Sequence, residues 1–276
     1  MVQYNIHTKE YSKQNKDLYE VVMLADKNGL IMNNSNIIND INLVSANRFI
    51  NKIGAVPALA QNTNGSIWDT NDKLINWDVL GTAHIKIECF KNNTLSNLDV
   101  GKKITIFGLN SNFEEVQIEI TITAQSFTSN LAAELNLIRI NDVMVDSSNL
   151  TDIVGSVSAN NVFKILIGKG RTLNSNFTIP KGFTGYLLKG SCSCSNSSDA
   201  TVDMFVRFFG HPFRIGHSFE ISGYGGQYTY DFSLPLVLPE KTDIEVRGTT
   251  RSNNARITTA YDLILIENEL WVLKSL

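Results

Sequence analysis

Hydrophobic positions along this chain recur with a period of two. From Val116 to Thr123, Val116, Ile118, Ile120 and Ile122 alternate with Gln117, Glu119, Thr121 and Thr123. That is the pattern of an antiparallel strand with one buried and one solvated face. Ile104 and Ile106 precede it across Gly108-Leu109-Asn110-Ser111-Asn112, a turn-rich break that predicts a hairpin. Upstream, Ile85, Ile87 and Cys89 alternate with His84, Lys86 and Glu88, and Asn92-Asn93 and Asp99-Val100-Gly101-Lys102 supply turn chemistry. The second half repeats the style. Phe163, Ile165 and Ile167 form one row, and Val202, Met204, Val206 and Phe208 stand opposite Thr201, Asp203 and Arg207. Phe213, Ile215, Phe219 and Ile221 form a third row; Tyr228, Tyr230 and Phe232 a fourth. Ile244 and Val246 alternate with Asp243, Glu245 and Arg247, and Tyr261, Leu263 and Leu265 close the series. Strands spaced about 10–15 residues apart predict a sandwich or jelly roll. Gln125 to Leu137 carries at most one or two helical turns, around Leu131-Ala132-Ala133-Glu134-Leu135. No apolar stripe at helical spacing appears, which argues against an α/β enzyme fold.

The predicted fold is therefore all-β: two tandem antiparallel β-sandwich or jelly-roll domains with an N-terminal arm. The small, polar stretch within Asp152–Asn161 sets the division, giving sandwiches over 46–156 and 157–269, the second jelly-roll-like. Each is about 110 residues, the size of one β-sandwich. Residues 1–45 read as an arm with one hairpin at Tyr19–Met32, around Asp26-Lys27-Asn28-Gly29. Residues 270–276 read as a tail whose Leu270-Trp271-Val272-Leu273 would be an exposed patch on a monomer. Arm and tail both fall outside the strand pattern, and both are expected to make contacts between subunits.

Composition narrows the function classes. The 276 residues are enough for a sizeable core. The 24 basic and 27 acidic residues give a net charge of −3, which argues against a chain built to cover nucleic-acid phosphates. No apolar run approaches the roughly 20 residues of a membrane-spanning helix, and the first ten residues lack the pattern of a signal peptide. The 31 asparagines, set against 5 prolines, fit a fold with many turns. Cys89, Cys192 and Cys194 are an odd count without a disulfide framework. Cys192 and Cys194, two apart on a strand, read as small apolar filler on one inner face.

Candidate chemistry is sparse. His84 falls on a polar face, and His217 on an apolar row as a core histidine. In a regular strand His211 and His217 would stand roughly 20 Å apart, too far for one metal ion, and His7 has no partner motif. No nucleophile elbow is present. Gly168-Lys169-Gly170 and Gly223-Tyr224-Gly225-Gly226 open no helix and read as loop glycines rather than phosphate cradles. Asp69, Asp72 and Asp78 cluster around Trp68 and Trp77. That grouping fits a self-capped turn loop with two hydrophobic anchors, a calcium site or a glycosidase cleft. Tyr224, Tyr228 and Tyr230 fit one buried strand face better than a sugar-stacking platform. Arg247, Arg251 and Arg256 flank a hairpin tip expected to be solvated. No catalytic residue, cofactor or metal ligand is assigned, and no enzyme activity is expected.

Four stretches carry a resemblance. Phe49-Ile50-Asn51-Lys52-Ile53-Gly54-Ala55-Val56-Pro57 leads into Asn64-Gly65-Ser66-Ile67-Trp68-Asp69. Ile179-Pro180-Lys181-Gly182-Phe183-Thr184-Gly185-Tyr186-Leu187 follows, and then Leu234-Pro235-Leu236-Val237-Leu238-Pro239-Glu240-Lys241-Thr242-Asp243-Ile244-Glu245-Val246-Arg247. In this order they resemble β-rich virion structural proteins of tailed bacteriophages, marine cyanobacterial phages especially, over residues 48 to 268. The resemblance implies a non-enzymatic particle component made in a bacterial cytoplasm: head decoration, neck or tail, or fibre. The implied partners are capsid or tail proteins and further copies of the chain, with no nucleic acid and no membrane. The alternative is a receptor- or carbohydrate-binding module at a fibre tip, stacking exposed Trp or Tyr on a host glycan.

Overall fold

The computed structural model describes residues 47–69, 74–75, 77, 85–159, 162–195, 199–222, 226–251 and 255–268. The arm over 1–45, the tail over 270–276 and the hairpin tip at 252–254 lie outside the described residues. The chain divides into two compact units, residues 1–49 and 50–276. Apart from the first residues of β1, everything below concerns the second.

The described chain is all-β, with a single helical turn at Leu131–Glu134. Strands β1 (Asn47–Leu59) and β2 (Gly65–Ser66) come first. Eight strands then build one lobe: β3 (Ile85–Lys91), β4 (Thr94–Leu95), β5 (Lys103–Asn110), β6 (Glu115–Thr121), β7 (Ser126–Ser129), β8 (Leu137–Val145), β9 (Ser156–Ala159) and β10 (Phe163–Ile165). One sheet has the order β10-β9-β3-β4 with β7 also on β3, and the other the order β6-β5-β8. The period-two rows supply their shared core. Ile85, Ile87 and Cys89 meet Ile104, Ile106, Ile118, Ile120 and Ile122, with Val157, Phe163 and Ile165 beside them. The turn after β3 works because Asn92 and Asn93 accept the left-handed conformation (φ 51° and 61°). In β5, a side chain at Gly108 would run into the Arg139 carbonyl of β8.

Seven more strands complete the fold: β11 (Phe177–Thr178), β12 (Phe183–Cys194), β13 (Ala200–Arg207), β14 (Arg214–Ile221), β15 (Gln227–Leu238), β16 (Asp243–Thr250) and β17 (Ala255–Glu267). They form two sheets, β1-β17-β12-β15 and β11-β16-β13-β14, with β2 added on β16. Number β1 and β11 to β17 as eight successive strands, and the sheets read 1-8-3-6 and 2-7-4-5. That is the strand order of a jelly roll, two Greek keys wrapped into a sandwich. Its core draws Leu187, Cys192 and Cys194 from β12, Val202 and Met204 from β13, and Ile257, Tyr261, Leu263 and Leu265 from β17.

Chain order and core order differ. Val56, Leu59 and Ile67 belong to the jelly-roll core, whereas Val157, Phe163 and Ile165 belong to the other. Where the sequence pattern divides the chain into 46–156 and 157–269, the cores divide it into a lobe over 85–165 set between the first and second jelly-roll strands. The boundary read at 156/157 falls at the start of β9. Strand periodicity is local, and it does not say that β1 pairs with β17, some 200 residues on.

One row is corrected in detail. His217 pairs with Met204, but Ile215 pairs with Phe205, so the register slips at Gly216. Phe219 and Ile221 therefore point into the core while Ile215 is exposed, and Phe213 lies ahead of the strand against the Trp77 ring at 5.7 Å.

Candidate functional site

The acidic loop around the two tryptophans is the first place to look. Trp68 lies two residues past the end of β2 and is only 1% exposed; Trp77 and Asp69 are buried too. Neither indole offers a sugar-stacking face; both are buried, as hydrophobic anchors of the loop would be. Asp72 and Asp78 lie outside the described residues. Asp69 turns inward: its Oδ2 accepts the Leu173 N–H at 2.7 Å, its Oδ1 has no partner, and burial pushes its carboxyl up to about 7. Among the described residues, no three His, Cys, Asp or Glu gather where they could hold a metal ion.

Trp77 leads to a buried charge layer that the sequence pattern assigned to water. Asp243 and Glu245 on β16 are both buried. They alternate with Ile244 and Val246 as expected, but their face of the sheet lies beneath Trp77 and Arg139 of β8. The Trp77 Nε1–H donates to Glu245 Oε2 at 2.8 Å, and the Ser66 hydroxyl to Glu245 Oε1 at 2.5 Å. Arg247 adds an ion pair to Glu245 at 2.9 Å. Asp243 accepts both Arg139 Nε–H (2.9 Å) and Arg139 Nη2–H (3.2 Å), Arg207 Nε–H (2.8 Å) and the Thr178 hydroxyl (2.6 Å). The guanidiniums of Arg139 and Arg207 lie 5.3 and 5.5 Å from the Trp77 ring centre, and that of Arg247 lies 4.3 Å from the Phe205 ring centre. Carboxylates engaged this fully are structural anions, with no lone pair aimed at a cleft. Arg247, read as part of a solvated tip, belongs here, while Arg251 and Arg256 are exposed.

The remaining candidates are structural. All three cysteines are free and buried, and burial raises the Cys89 thiol to about 11 and the Cys192 thiol to about 12. They are poor nucleophiles in that form. His217 packs at 4.5 Å from the Phe219 ring and 4.4 Å from the Tyr230 ring, and burial lowers its proton affinity. Gly168 and Gly170 take positive φ, as loop glycines do. Of the other predicted residues, His7, His84 and Tyr224 lie outside the described set. Among the described residues no helix is long and apolar enough to cross a membrane.

A surface feature stands out instead. Strands β14 and β15 end their respective sheets. Both edges are blunted against strand addition: β14 by the slip at Gly216, β15 by a slip between its Asp231 and Leu236 pairings that spans Pro235. Between them runs a groove of about 270 Å³ lined by Val206, Phe208, Pro212, Ile215, Leu236 and Leu238 together with the polar His211 and Arg214. Nearby, Phe209 is 62% and Leu234 is 68% exposed. Contiguous apolar surface of this kind marks sites of association. Periodicity does not reveal it, because the same apolar residue types line the core.

No family model matches the sequence, and no curated protein matches it. Among solved structures, the chain is similar to the VP2 subviral particle of infectious bursal disease virus, at 9% identity over 81% of this chain and 73% of that one, with a TM-score of 0.21. The Gt strain of infectious bursal disease virus gives 11% identity, 81% and 73% coverage and a TM-score of 0.21. The PBSX exported protein XepA gives 9% identity over 89% of this chain and 99% of that one, with a TM-score of 0.19. Scores this low carry nothing for fold or function, which rest here on strand order and side chains.

Proposed function

We propose that this chain is a non-enzymatic structural component of a tailed-phage particle, acting by assembly with copies of itself and with other virion proteins. The observation that carries the reading is the eight-stranded jelly roll with an apolar groove open beside its two blunted edge strands. Jelly rolls serve in viral capsid and lectin domains. The step from fold to role is an analogy, and the sequence resemblance over residues 48–268 points the same way. Head decoration, neck or tail, and fibre positions all fit. The carbohydrate-binding alternative is weakened, because Trp68 and Trp77 are buried and Tyr228 and Tyr230 are half-buried against their neighbours.

The test is a competition between the full chain and a chain lacking residues 1–40 during particle assembly. The truncated chain is expected to fold, since residues 50–276 form their own compact unit, and to enter particles at trace levels only. Incorporation equal to that of the full chain overturns the role given to the arm.

A further inference from the structure

We propose that Lys52 and Asn174 join through an intramolecular isopeptide bond, locking the neck from which the 85–165 lobe emerges. This goes beyond the assembly reading and does not depend on it.

The geometry is that of a reactive pair held still. Lys52 on β1 is a fully interior lysine, and Asn174 lies equally buried just ahead of β11. The lysine Nζ sits 2.6 Å from the Asn174 side-chain oxygen. The amide carbon lies one carbonyl bond further on, about 1.2 Å, which puts amine and carbon near the 3–3.5 Å of a near-attack arrangement. Lys52 also donates to the Asn141 carbonyl of β8, which pins the amine. The asparagine's backbone is clamped from both sides. Leu173 O accepts from Ala55 N at 3.1 Å, Ser175 N donates to Ile67 O at 3.0 Å, and the Tyr261 hydroxyl donates to Ser175 O at 3.0 Å.

The surrounding charges are those the reaction needs. Asp142, Arg171 and Asp69 are the charged groups whose fields reach the amine. Asp142 is committed: it takes Arg171, the Thr172 hydroxyl at 2.7 Å and the Val143 N–H at 2.9 Å. Asp69 is bound only at Oδ2, by the residue next to Asn174, and its buried Oδ1 is without a partner. An apolar setting penalises both charged forms. Burial lowers the Lys52 ammonium to about 8 and raises Asp69 to about 7, which leaves the neutral amine beside the neutral acid only about tenfold less populated than the ion pair.

In the step, the Lys52 amine attacks Cγ of Asn174 and the Nζ–Cγ bond forms. Asp69, as the acid, supplies a proton to the departing amide nitrogen. The Cγ–Nδ2 bond breaks, ammonia leaves, and the proton shed by Nζ returns Asp69 to its starting form. Nothing is oxidised or reduced. The product closes a covalent loop between positions 122 residues apart that contains β2 to β10, the whole inserted lobe. Tension applied from β1 to the later jelly-roll strands would then bypass that lobe.

The experiment is intact-mass measurement and peptide mapping of the full chain under denaturing conditions. The expected result is a mass lower than the sequence by one ammonia, with a branched peptide joining Lys52 to Asn174. A full-sequence mass overturns the proposal without any variant. Because Asn174 precedes Ser175, cyclisation to a succinimide would lose the same mass, so Lys52→Arg decides the source. Loss of the deficit in that variant supports the bond, and its persistence overturns it. Asp69→Asn is expected to slow the appearance of the branched peptide at least tenfold; formation at the native rate overturns the part given to Asp69.

Discussion

Asp243→Ala is expected to lower the free energy of unfolding by about 3 kcal/mol, the low end of the range for breaking a buried pair. The carboxylate anchors two guanidiniums and a hydroxyl: Arg139, Arg207 and Thr178 all converge on it. Its removal leaves two cations beside Trp77 with one anion, Glu245, already held by Trp77, Ser66 and Arg247. The arginines keep some access to water, with side-chain exposures of 14% and 22%, which is why the effect stays at the low end. Asp243→Asn preserves shape and one acceptor and should cost less. Urea unfolding of the three proteins measures this directly. An Asp243→Ala protein as stable as the parent would mean the layer contributes nothing net.

Tyr261→Ala should cost about 3–5 kcal/mol, the range for removing a large aromatic from a packed core. The ring lies in the jelly-roll core on β17 and is 2% exposed. Its hydroxyl donates to Ser175 O in the segment that follows the inserted lobe. Tyr261→Phe separates the two contributions. It keeps the ring and removes one buried hydrogen bond, for which about 1–2 kcal/mol is expected. Denaturant midpoints for both variants test the assignment; equal losses would show that the hydroxyl, not the ring, secures this strand.

These residues also show what could and could not be read along the chain. Ile118, Ile120 and Ile122, and Tyr261, Leu263 and Leu265, turned inward as their alternation required, because a half-buried strand writes its two environments into neighbouring positions. Cys192 and Cys194 share a buried face for the same reason. Asp243 and Glu245 alternate just as cleanly, yet they face a second protein layer. Alternation separates polar from apolar faces but does not tell water from a buried ionic layer. The slip at Gly216 inverted Phe213 and Ile215, since one extra residue reverses every side chain beyond it. The placement of the lobe between β1 and β11 left no local trace, and Lys52 and Asn174, 122 residues apart, meet only once that insertion is made.

The central claim is that this chain works by occupying a place in a particle. A density map of purified phage particles, with the jelly roll and its 85–165 lobe fitted into it, tests that most directly. The expected result is repeated, symmetry-related copies whose Phe208–Leu236 groove is covered by a neighbouring subunit. Particles whose density has no place for this fold, with the chain remaining free in the lysate, would contradict it.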